Sequence, residues 1–158
     1  VEETGEIAVR RPDPVFMLRY WNRPEATQEK YSGDWLLTGD LGREDEDGYL
    51  WFTSRKDDVI SSMGYRIGPG EVEESLMGHP AVASCAVIGV PDEIRGQVVK
   101  AFVVLRKGYS EGDDLATELQ EHVRTRLAAH EVPRQLVFID ELPRTTTGKT
   151  MRRVLRDL

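Results

Sequence analysis

The sequence predicts an α/β chain of the α+β kind, a small central sheet flanked by helices and preceded by short strands. Three observations carry that expectation. Up to about residue 55 the apolar residues come in short runs broken by Pro and Gly. Beyond Asp57, longer apolar runs alternate with segments of helical period. Between them lies the charge run Arg55-Lys56-Asp57-Asp58, which suits a surface crossover.

Gly5-Glu6-Ile7-Ala8-Val9-Arg10 alternates like a strand, and Pro12 and Pro14 stop it. Residues 17–34 are polar, with Tyr20, Trp21 and Tyr31 expected as anchors. Trp35-Leu36-Leu37-Thr38 is a second short strand. Asp47-Gly48 is a hairpin signal between Gly42-Arg43-Glu44 and Tyr49-Leu50-Trp51-Phe52-Thr53. Strands alone are expected to this point. After the charge run come Val59-Ile60, a turn containing Gly64, and Tyr65-Arg66-Ile67.

Pro69 opens a helix with Glu71, Glu73 and Glu74 near its positive end, and Gly78 stops it. Val82–Val90 and Val98–Leu105 read as strands buried on both faces, joined by the loop Asp92–Gly96. Asp113 or Asp114 is expected to cap a helix carrying Leu115, Leu119, Val123 and Leu127 at a spacing of four. Leu136-Val137-Phe138-Ile139 is a third strand, and a basic tail with Arg144, Lys149, Arg152, Arg153 and Arg156 follows.

Composition narrows the function classes. The net charge of −7 argues against non-specific nucleic-acid binding, which needs clustered positive charge. No apolar run approaches the ~18 residues that span a bilayer, and Val1-Glu2-Glu3-Thr4-Gly5 has no signal-peptide character. One cysteine, Cys85, lies in an apolar run and cannot form an internal disulfide, so a small buried hydrophobe in a reducing cytoplasm is expected. His79, His122 and His130 show no metal spacing and suit surface or capping positions, so no metal site is expected.

Pro143-Arg144-Thr145-Thr146-Thr147-Gly148-Lys149 places a lysine on a Thr/Gly-rich loop. Such a lysine is a mobile cation that can reach an anionic oxygen, although a solvated tail would carry the same residues. Upstream stand Thr38-Gly39-Asp40, then Arg55-Lys56-Asp57-Asp58-Val59-Ile60, then Gly64-Tyr65-Arg66-Ile67-Gly68-Pro69. In this order the blocks resemble the AMP-forming acyl-CoA synthetases of the adenylate-forming superfamily, which also holds firefly luciferase and the adenylation domains of peptide synthetases. The resemblance runs from Gly5 to Arg153, and residues 59–73 look most like the short- and medium-chain branch, which includes acetyl-CoA synthetases.

That resemblance implies a C-terminal portion. Residues 1–55 would be the tail of a large N-terminal adenylate-binding domain, ending in a small barrel-like sheet. Residues 56–58 would be a hinge, and 59–158 a C-terminal lid domain. The family's phosphate loop and acyl pocket belong upstream, so the chain by itself is expected to be inactive and to expose apolar surface over residues 1–55. The implied substrates are ATP, with Mg2+ held outside this segment, a short- or medium-chain carboxylic acid, and CoA. The implied partners are the missing N-terminal domain and a lysine acyltransferase or deacylase acting on Lys149.

The implied roles follow residue by residue. Lys149 would be the catalytic cation of adenylation, bridging acyl carboxylate and phosphate oxygens. Asp40 would accept hydrogen bonds from the ribose hydroxyls, and Arg55 would add a charged donor to the nucleotide. Asp57 would be the pivot. Gly64 would line the pantetheine path, or serve a tight turn. Arg66 would support that path, or pair with Glu71 or Glu73. Two departures stand out: Ser54 where a Gly is common before the hinge arginine, and Met63 where a small residue is usual. Other readings are the adenylation domain of a peptide synthetase or aryl-CoA ligase, and a stand-alone binding or regulatory module.

Overall fold

A computed structural model describes residues 3–158 and divides the chain after Asp57 into two units. The first contains strand β1 (Gly5–Arg10), helix α1 (Pro24–Gln28), and strands β2 (Tyr31–Ser32), β3 (Trp35–Glu44) and β4 (Leu50–Arg55). All pairings are antiparallel, with β3 in the middle. β1 runs along one edge from Gly5↔Gly42 to Arg10↔Trp35. Because β2 and β4 pair with residues of β3 that β1 also faces, they lie end to end on its other edge. Among the described residues the sheet is therefore open.

The predicted Asp47-Gly48 turn is present. Asp45 Oδ1 accepts the N–H groups of Asp47 and Tyr49, its Oδ2 takes the Trp51 indole N–H at 2.6 Å, and Gly48 has φ +83°. The strand expected over Trp35–Thr38 continues to Glu44, with a shift of register between Leu41 and Gly42. The expectation of strands alone fails at α1. This helix starts on Pro24 with Glu25 in its first turn, and its five residues are too few to display a period. Tyr31 is an anchor, donating its hydroxyl to Met17 O at 2.8 Å beneath the Arg11 guanidinium. Tyr20 and Trp21 are not, being 42% and 79% exposed.

The second unit contains β5 (Ile60–Ser62), β6 (Tyr65–Ile67), α2 (Pro69–Met77), β7 (Val82–Asp92), β8 (Gly96–Leu105), α3 (Asp113–Arg124), β9 (Gln135–Phe138) and α4 (Arg152–Arg156). β8 is central. β7 pairs with it antiparallel along one edge, while β9 (parallel) and β5 occupy the other edge, with β6 beyond β5. Alternate residues of β7 and β8 face opposite cores. Val87, Val99, Ala101 and Val103 pack under Val72 and Leu76 of α2 and Leu119 and Val123 of α3. Ala86, Ile88 and Phe102 pack on the other face with Leu142 and Leu155. The strands are thus buried on both faces, as their continuous apolar runs predicted.

Two expectations here need correction. Gly112, not an aspartate, stands at the N-cap of α3, and Asp113 and Asp114 lie in the first turn, where they still oppose the positive helix end. The basic tail, for which no element was expected, forms α4, whose Leu155 is fully buried.

Candidate functional site

The first cluster is set by the register of β3 and β4, which places Asp40 opposite Arg55. Arg55 Nη1 donates to Asp40 Oδ1 at 2.8 Å and to Thr38 O at 3.2 Å, and its Nε donates to Asp57 Oδ1 at 3.2 Å. The Asp40 carboxylate, by accepting this bond, holds the guanidinium pKa above its ordinary value. Thr38-Gly39-Asp40 is not a turn. It is the middle of β3, where Gly39 has φ +78° and a Cβ would lie 3.0 Å from Arg55 Nη2. The glycine therefore makes room for the arginine.

Sequence reasoning missed Glu6 and Lys56 beside this pair. Glu6 Oε2 accepts from Lys56 Nζ at 2.8 Å and Glu6 Oε1 accepts the Gly39 N–H at 3.1 Å. The bond from Lys56 holds the Glu6 carboxyl below the usual range. No local motif could have revealed them, since the pair is 50 residues apart in sequence.

Asp57 is well exposed and in contact with Arg55, at the last position of the first unit. Its neighbour behaves differently. The Asp58 side chain is only 12% exposed and receives Arg152 Nη1 at 3.3 Å and Arg156 Nη2 at 2.9 Å. The expectation that the whole charge run is solvated is therefore wrong for Asp58. The available signal was the spacing of Arg152 and Arg156, four residues apart and on one helix face.

Lys149 lies in a short closed loop. Thr145 N–H donates to Lys149 O at 2.8 Å, Lys149 N–H donates to Thr145 Oγ1 at 3.0 Å, and Arg144 and Thr150 form a β-bridge. Gly148 takes φ +84°, which a side chain would strain. The Lys149 side chain is exposed, and no described carboxylate pairs with its ammonium. What this arrangement offers chemically is a cation presented on a braced loop.

Met63 and Gly64 form the two-residue turn between β5 and β6, with φ +49° and +85°. Both angles are those of a mirror-image hairpin turn, so the tight-turn reading of Gly64 holds within this chain. A Cβ on Gly64 would meet nothing within 4 Å, which leaves the loop edge open. Arg66 is exposed. Among the described residues it makes no ion pair with Glu71 or Glu73, and Arg152 takes both Glu73 oxygens at 2.7 and 2.9 Å.

The structure thus joins Asp40, Arg55 and Asp57 in the first unit, and places Lys149 and Gly64–Arg66 on separate loops of the second. The remaining candidates are structural. His79 is buried, not superficial, with Nε2 3.2 Å from Glu118 and Nδ1 accepting the Ala81 N–H. His122 Nε2 caps Ser75 O near the end of α2 at 3.0 Å. Burial pushes the Cys85 thiol up to about 12, and its Sγ faces Glu73 O, so it is poorly nucleophilic. Among the described residues no three His, Cys, Asp or Glu side chains converge as metal ligands, and no helix is long and apolar enough to cross a membrane.

Residues 71–149 match the family model of the AMP-binding enzyme C-terminal domain. The uncharacterized acyl-CoA ligase YtcI of Bacillus subtilis (strain 168) is 47% identical over 154 residues, covering 98% of this chain and 29% of that protein. The human mitochondrial acyl-coenzyme A synthetase ACSM4 is 51% identical over 160 residues, covering 97% of this chain and 27% of its own length. Among solved structures, the ATP-bound RpMatB-BxBclM chimera B1 superposes with a TM-score of 0.91 at 38% identity, over 98% of this chain and 30% of that one. The o-succinylbenzoate CoA synthetase (MenE) of Bacillus subtilis, in complex with its acyl-adenylate intermediate OSB-AMP, gives 0.85 at 40%, over 99% and 31%. The chain spans less than a third of the length of the relatives it matches.

Proposed function

Because this chain belongs to the family of the AMP-binding enzyme C-terminal domain, we propose that it is the C-terminal portion of an AMP-forming acyl-CoA synthetase. The enzyme would join a short- or medium-chain carboxylate to the α-phosphorus of ATP, expel pyrophosphate, and pass the acyl group from the adenylate to CoA. The observation that carries this reading is the Lys149 loop: an exposed ammonium, unpaired among the described carboxylates, on a backbone braced by Thr145 and Gly148.

Two anions react in adenylation, so negative charge accumulates on the phosphate oxygens in the transition state and a positioned cation stabilises it. Lys149 fills that role here as a compact point charge. Asp40 holds the ribose hydroxyls as an acceptor, and Arg55, already oriented by Asp40, offers its remaining N–H groups to the nucleotide. Asp57 is the pivot of the change between the two half-reactions, since an exposed residue can alter φ and ψ without losing core contacts. Residues 56–58 are the hinge and 59–158 the lid domain. Gly64 and Arg66 border the path of the CoA arm. Mg2+ would accompany ATP, held by residues outside this segment.

The test is Lys149→Ala in the whole enzyme this reading implies, with the half-reactions measured apart. Pyrophosphate release from ATP and a short fatty acid should fall by about a hundredfold or more. Thioester formation from a supplied acyl-adenylate and CoA should persist. If both half-reactions survive, Lys149 is a solvated loop residue and the mechanism is wrong.

A further inference from the structure

We infer that Asp58 is a positioning residue, which clamps the C-terminal helix through Arg152 and Arg156 and so fixes the Lys149 loop to the first residue of the second unit. The assignment of what the clamp serves rests on the adenylation reading above; the clamp itself does not.

The loop is stiff within itself but attached by its stems. Met151 N–H donates to Pro143 O at 2.8 Å, closing the base, and the segment is anchored in the core by Leu142, with Ile139 packed beside it, before the loop and by Leu155 beyond it. With Leu155 its one fully buried side chain, the five-residue helix is left free to rock about its axis by apolar packing alone. The charged contacts remove that freedom. Arg152 and Arg156 converge on the one Asp58 carboxylate, and Arg152 also grips Glu73 with both oxygens. Glu73 is held in turn, since its Oε1 accepts the Val87 N–H at 2.8 Å while Arg152 Nε donates to Val87 O at 3.3 Å. Val87 lies on β7, whose outer edge has no neighbouring strand among the described residues. The network therefore satisfies a sheet edge and locks α4 against it in one arrangement.

Removing one partner leaves a carboxylate with a 12% exposed side chain short of its counter-charges, an arrangement the fold relieves by releasing the helix. The consequence is positional. A misplacement of about 1 Å at a reacting group can cost about a hundredfold in rate, and the clamp carries the backbone position at Asp58 to the lysine without slack. Asp58 directly follows the proposed pivot, Asp57.

The first experiment follows hydrogen exchange in the 158-residue chain, for Asp58→Asn, Arg156→Gln, their combination, and Asp58→Glu as the conservative variant. Asp58→Asn should speed exchange at residues 145–157 by about tenfold or more while β7 and β8 keep their protection. Arg156→Gln should act in the same direction. The double variant should exceed the stronger single by little, because one interaction has been removed twice. Asp58→Glu should stay near wild type. Unchanged exchange in Asp58→Asn overturns the clamp, whatever the enzyme does.

The second experiment measures half-reactions in the whole enzyme. Asp58→Asn should lower pyrophosphate release by about tenfold in kcat with KM little changed, leave thioester formation within about twofold, and be rescued by Asp58→Glu. Faster exchange with undiminished pyrophosphate release, in an enzyme that Lys149→Ala disables, overturns the positioning role. If Lys149→Ala is itself harmless, the positioning role falls together with the adenylation reading, and the exchange data decide the clamp alone.

Discussion

Asp40 shows how a residue's structural and chemical roles can be separated. It pairs with Arg55 at 2.8 Å, but both side chains are more than a third exposed, at 36% and 41%. Water and salt screen such a pair, so Asp40→Asn should change the stability of the chain by less than about 1 kcal/mol, read as a shift in the urea midpoint. Its proposed role is different in size. Hydrogen bonds from two ribose hydroxyls to a carboxylate are worth about 1.5–3 kcal/mol each, so the same substitution in the whole enzyme should weaken AMP binding by about tenfold or more. A large loss of stability with unchanged AMP affinity would make Asp40 a structural residue. The sequence pointed to Asp40, Arg55 and Lys149 because the motif blocks that hold them carry, in their order, the family resemblance that implies their roles. It was silent on Glu6 and on the depth of Asp58, because their partners Lys56, Arg152 and Arg156 come from distant segments that only the fold brings near.

At the scale of elements, long patterns survived the passage to structure and short ones did not. β7 and β8 announced themselves by continuous apolar runs, and α2 by Pro69 and Gly78 at its ends. The five-residue helices α1 and α4 carry too few residues for a period. The β5–β6 hairpin holds the plainest conflict between local preference and fold. Its two-residue turn needs positive φ at both positions, and Met63 meets that demand at φ +49° although its side chain is 63% exposed. Asparagine tolerates this region far better than methionine. Met63→Asn should therefore stabilise the chain by about 0.5–1 kcal/mol in urea denaturation. A loss of stability instead would mean that Met63 is held by packing that its exposure does not reveal. Where a site departs from the best turn residue at a cost in stability, the side chain is a candidate for function, and Met63 lies beside the proposed CoA path.

For the molecule as a whole, the distribution of buried apolar side chains decides which part carries the stability. Every fully buried hydrophobic side chain among the described residues lies between Ile60 and Leu155, in the second unit. The first unit instead exposes Leu18 at 92%, Val15 at 85%, Trp21 at 79% and the strand residues Leu50 and Phe52 at 64%. Its sheet has hydrogen bonds but little apolar surface removed from water, which is the dominant favourable term in folding. Exposed apolar surface of this extent suits a contact with another piece of protein, as the proposed reading of the chain as part of a longer enzyme requires. The two units should accordingly unfold at different denaturant concentrations. All three tryptophans, Trp21, Trp35 and Trp51, belong to the first unit, whereas the long helices α2 and α3 belong to the second. Tryptophan fluorescence should thus report an early transition in urea and far-ultraviolet circular dichroism a later one, and residues 58–158 made alone should keep the later transition unchanged. Coincident transitions by the two probes would mean that the units fold as one cooperative body, with the first stabilised by the second despite its exposed surface.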